Sequence, residues 1–68
     1  MPTGIVKWFD PKKGYGFIEP DNGTNDVFVH VSAVENANIF SLSENQRIEY
    51  QIETSRGKTL AVDLKLLS

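Results

Sequence analysis

Two short stretches decide how this chain folds: Lys13-Gly14-Tyr15-Gly16-Phe17-Ile18 and Val27-Phe28-Val29-His30. Side chains along a β-strand alternate between faces, so Tyr15 and Phe17 share one face while Gly16 and Ile18 share the other. In the second stretch Phe28 and His30 go together, opposite Val27 and Val29. If the rings faced the core, Ile18, Val27 and Val29 would meet water while the only histidine was buried, inverting the usual order of burial. The opposite assignment fits better. Valine, isoleucine and glycine suit a narrow interior, and Tyr15, Phe17, Phe28 and His30 then line the outer face. Asp21-Asn22-Gly23 between the stretches is a hairpin signal, because Asn and Gly tolerate the positive φ of tight turns. A hairpin joins the four rings into one patch.

The same reading extends in both directions. Gly4 to Phe9 is apolar, aromatic and β-branched, and Asp10-Pro11 ends it. Tyr15 to Glu19 stops at Pro20, and Asp26 to Val31 makes a third run, so the first half reads as an antiparallel meander. Ser32-Ala33-Val34-Glu35 has capping-box spacing, but no helical period follows, which predicts a short 3₁₀ turn after strand 3 and then a loop to Asn45. Arg47 to Glu53 alternates polar and apolar residues, predicting a strand with Ile48, Tyr50 and Ile52 inward. Ser55-Arg56-Gly57-Lys58 turns the chain into a last strand over Thr59 to Leu67. Five strands without a substantial helix avoid exposed edges most economically by closing. The expected fold is all-β, a five-stranded antiparallel OB-type barrel forming a single domain over residues 1–68.

Composition narrows the function. A chain of 68 residues buries only about 60% of its unfolded surface and has little core with which to wall a deep cleft. With no cysteine there is neither a disulfide framework nor a thiolate metal site. No signal peptide is evident, and no run approaches the roughly 20 apolar residues of a membrane helix. A soluble cytoplasmic protein, monomeric at this size, is expected. His30 has no nucleophile or carboxylate at meaningful spacing, and Lys13-Gly14-Tyr15-Gly16 lacks the pattern of a phosphate loop. No catalytic residue, metal or cofactor is expected.

The net charge is −2, yet it is unevenly spread. Residues 1–18 hold Lys7, Lys12 and Lys13 against Asp10 alone, while the remainder holds four cations against eight acids. Exposed rings on a small domain call for an explanation. Flat π-faces flanked by lysines suit single-stranded nucleic acid: bases stack on rings for about 1–3 kcal/mol each while cations follow the phosphates. Duplex bases are already stacked and offer no free face. Trp8 and Phe9, on the neighbouring strand, extend the patch. A barrel that binds a peptide through the same rings is the alternative.

The two opening stretches also resemble the paired RNA-binding motifs of the bacterial cold-shock proteins. Gly4-Ile5-Val6-Lys7-Trp8-Phe9, His30-Val31-Ser32-Ala33 and Ala61-Val62-Asp63-Leu64 are similar to that family as well, so the resemblance spans nearly the whole chain. It implies an OB-type barrel that binds single-stranded RNA and single-stranded DNA with loose sequence preference. It also implies an RNA-chaperone role in cold adaptation and in regulating transcription or translation. By this resemblance the nucleic-acid positions are Lys7, Trp8, Lys13, Tyr15, Phe17, Phe28 and His30, with Phe9 at the patch edge. The chain departs from the family pattern at four places. Val31 replaces a phenylalanine, and the loop aromatic expected at Ile39 is displaced to Phe40, which is the ninth candidate nucleic-acid position. Asp10 stands where asparagine is common, and Lys58 near where a proline often follows the glycine. These departures imply a weaker or shorter footprint.

Overall fold

The computed structural model describes residues 2–67. Strands β1 (Thr3–Asp10), β2 (Tyr15–Pro20) and β3 (Val27–His30) are followed by helix α1 (Val31–Asn36), then β4 (Arg47–Ser55) and β5 (Lys58–Leu66). The strands close in the order β1-β2-β3-β5-β4, with β1 pairing β4 at Gly4↔Ile48. All pairings are antiparallel except β3 with β5, which meet in parallel at Phe28↔Leu60. The all-β barrel expected from the sequence is present, with this one parallel seam as its less regular joint.

The interior is filled by the aliphatic faces of the opening stretches. Val6, Ile18, Val29, Ile48 and Tyr50 are completely buried, and Val27, Val34, Leu42 and Ala61 nearly so. Burying these side chains is the main favourable term for so small a domain, at about 25 cal/mol per Å² of apolar surface. Gly16 is needed for closure. A Cβ there would lie 2.8 Å from the Phe9 Cα and collide with the Trp8 carbonyl oxygen. Any side chain would push β1 away from β2.

Three local expectations change. The segment after β3 is a short α-helix rather than a 3₁₀ turn, and its cap is His30, not Ser32. The His30 imidazole Nδ1 accepts the Ser32 backbone N–H at 3.1 Å, satisfying a donor at the helix start. The β2–β3 connection is longer than a tight two-residue hairpin. It runs over residues 21–26, with the Asn22 side-chain oxygen accepting the Thr24 backbone N–H and hydroxyl, and Gly23 at φ 80°.

Ile52 is the third correction. It has the same strand parity as buried Ile48 and Tyr50, yet it is 51% exposed. The β4–β5 hairpin runs on past the β1 pairing, which reaches only Glu49, so this position is only partly covered. In β5 a register shift opposite Glu49–Gln51 and the left-handed Asp63 (φ 52°) break the alternation. Ala61 and Leu64 therefore both turn inward across a spacing of three.

Candidate nucleic-acid interface

The ring face is assembled by strand register. Tyr15 pairs with His30 and Phe17 with Phe28 across β2–β3, while Phe17 also pairs with Trp8 across β1–β2. The side chains between them, Gly16, Ile18, Val27 and Val29, are buried on the opposite face.

Trp8 reaches this face through a β-bulge. Val6 pairs with Ile18, but the next partner step on β1 goes to Trp8 against Phe17, leaving Lys7 as the extra residue. Without the bulge Trp8 would keep the parity of buried Val6 and point inward. With it, Lys7 and Trp8 are both exposed and Phe9 turns toward the core.

The rings touch in series. Trp8 lies 5.5 Å from Tyr15 and 5.4 Å from Phe17, both edge-on. Phe17 meets Phe28 edge-on at 5.8 Å, and Tyr15 stacks on Phe28 at 5.5 Å with planes 20° apart. His30 extends the series 6.3 Å beyond Phe28. Edge-to-face contacts hold the rings at fixed angles and half-bury them, lowering the cost of presenting apolar surface to water. The Ser32 backbone N–H fixes the His30 ring through Nδ1, leaving Nε2 outside that cap.

Cations flank one end. Lys12 and Lys13 project from the β1–β2 turn, where the Asp10 carboxylate accepts both their backbone N–H groups, at 2.9 and 3.3 Å. Asp10 thus spends its charge holding the turn. Lys7 is less free: its ammonium pairs with Asp26 at 3.0 Å, and hydrogen bonding to that carboxylate raises its pKa above the ordinary 10.5. Asp26 precedes β3, and no local sequence signal links it to Lys7.

The nine sequence-derived positions therefore divide. Trp8, Tyr15, Phe17, Phe28 and His30 form one ring layer, with Lys7 and Lys13 outside it. Phe9 lies beneath, half-buried against the core. Phe40 stands fully exposed in the loop after α1, while its neighbour Ile39 packs inward. The sequence reading missed Asp26, the Ser32 partner of His30, and Leu60 beside Phe28. Asp26 and Leu60 are joined to the site only by tertiary pairing, whereas Ser32 meets His30 through the local turn that starts α1.

No helix among the described residues is long and apolar enough to cross a membrane. The family model described as the "cold-shock" DNA-binding domain matches residues 2–67. The chain is 52% identical over 67 residues to cold shock protein CspA of Rhizobium meliloti, covering 96% of this chain and 97% of that protein. It is 48% identical over 65 residues to cold shock-like protein CspI of Escherichia coli K12, covering 96% and 93%. With cold shock-like protein CspA of Rickettsia typhi the identity is 49% over 64 residues, covering 94% and 91%. Proteins of this kind bind nucleic acid and are not enzymes. A closed five-stranded barrel, one ring-lined face and a match over residues 2–67 lead to one conclusion: the chain belongs to the cold-shock domain family.

Proposed function

We propose that this chain, a single cold-shock domain over residues 1–68, is a monomeric cytoplasmic RNA chaperone that binds single-stranded RNA and single-stranded DNA. The observation that carries this reading is the continuous layer of Trp8, Tyr15, Phe17, Phe28 and His30, with neighbouring ring centroids 5.4–6.3 Å apart. Unpaired bases stack on such a layer, and stacking tolerates every sequence because every base has a π-face. Lys13 and Lys7 contact phosphates at its edge, and Phe9 supports it from below. Phe40, free in its loop, folds over a bound strand. Affinity rests on stacking more than on charge, consistent with the net charge of −2. Holding transcripts unpaired in this way supports cold adaptation and regulation of transcription or translation.

Trp8 supplies the test. Titration with an unstructured pyrimidine oligonucleotide quenches its fluorescence, while the matching duplex has little effect. Equal responses to both, or none to either, would rule the proposal out.

A further inference from the structure

Beyond Phe28↔Leu60 the strands β3 and β5 separate. β3 ends at His30 and turns into α1, while β5 continues through Ala61 to the left-handed Asp63. The divergence opens a groove of about 470 Å³ between α1 and β5, a volume within the range of sites that hold small organic groups. Small side chains, Ala33 and Ala61, widen it, and Leu60 adds an apolar wall. Its polar walls are Ser32, Asn36, Glu53 and Asp63, and among the described residues no lysine or arginine lines it. His30 belongs both to this groove and to the ring layer, 6.3 Å from Phe28. The groove is therefore continuous with the stacking surface.

Two carboxylates and no cation repel a phosphate but accept N–H donors. Among the bases, guanine offers N1–H and N2–H side by side, a match for a carboxylate. Thymine and uracil offer one N–H between two carbonyls, whose oxygens would face the carboxylates. A peptide strand is a poorer occupant, because Asp63 at φ 52° interrupts the extended edge that strand addition requires. We infer that the groove between α1 and β5 is a base-reading subsite that takes a guanine at the end of a strand stacked on the ring layer. Glu53 and Asp63 accept from its Watson–Crick edge. This rests on the single-strand reading above and adds a sequence preference to it.

The test is a short oligothymidine and a series with one dG placed at each position in turn, followed by Trp8 fluorescence. At one terminal position dG should bind about tenfold tighter than dT, as expected for a paired-donor contact, and inosine, lacking the N2 amino group, should recover only part of that gain. E53Q and D63N should each pull the dG/dT ratio toward one, since asparagine still tolerates the left-handed backbone at position 63. E44Q removes the same charge outside the groove and should preserve the ratio. A flat scan, or a ratio indifferent to both E53Q and D63N, overturns the subsite while oligothymidine binding leaves the ring-layer reading intact. Failure of oligothymidine itself to bind removes both.

Discussion

Trp8 faces Phe17 across β1–β2 with ring centroids 5.4 Å apart, and it does so because Lys7 is an extra residue in the strand. A one-residue shift in a strand exchanges its faces. Here the exchange is confined to the end of β1, so Val6 stays in the core while Trp8 joins the outer rings. The bulge thus places the tryptophan and aims a lysine beside it in one step.

Gly16 sits opposite the end of that bulge and leaves room only for hydrogen. Gly16→Ala should destabilise the fold by about 1–3 kcal/mol, the usual cost of overpacking. A lowered urea midpoint checks this. Because the clash involves the Trp8 carbonyl and Phe9 Cα, the tryptophan emission should shift as well. An unchanged midpoint would show that β1 yields without cost.

Lys7 and Lys13 should differ in their effect on binding. Lys7 already pairs with Asp26, so a phosphate must compete for it. Lys13→Gln should flatten the dependence of log affinity on log salt by about 0.7, the value of one lost phosphate contact on a single strand. Lys7→Gln should flatten it less. Affinities measured across a salt series check the order, and equal changes would place the Asp26 pair outside the competition.

Tyr50 is completely buried, and its hydroxyl has no hydrogen-bond partner among the described residues. Tyr50→Phe should therefore be neutral or stabilise by about 1 kcal/mol, because an unpaired buried polar group is removed at nearly constant shape. Burial first, and the Asp21 carboxylate second, raise the Tyr50 pKa above 10.0. The unfolded chain therefore ionises first as pH rises. The folded state loses stability from about pH 10 upward, until the folded group also ionises. Y50F should shed that part of the alkaline loss. Denaturation midpoints at neutral and alkaline pH test both parts, and a clear loss of stability at neutral pH would mean that the hydroxyl is satisfied.

The barrel was legible because its deciding stretches alternate strictly. Gly16, Ile18, Val27 and Val29 leave one consistent inner face, and the rings follow on the other. What escaped was set by geometry beyond the local pattern. Ile52 has inner parity, but parity cannot tell where β4 runs on past its pairing with β1. Phe9 and Trp8 looked equivalent in sequence, and only the bulge at Lys7 separates them. The Lys7–Asp26 pair joins residues 19 positions apart and left no mark in either segment. His30 read as a ring on a strand, and its second task as the cap of α1 appears only once β3 turns into the helix.

Phe17 and Phe28 meet edge-on at 5.8 Å in the middle of the ring layer, so they test most directly whether affinity rests on stacking. Phe17→Ala and Phe28→Ala should each weaken binding of an unstructured single strand by about 1–3 kcal/mol, with the salt dependence of binding nearly unchanged. Undiminished affinity in both folded variants would contradict the account.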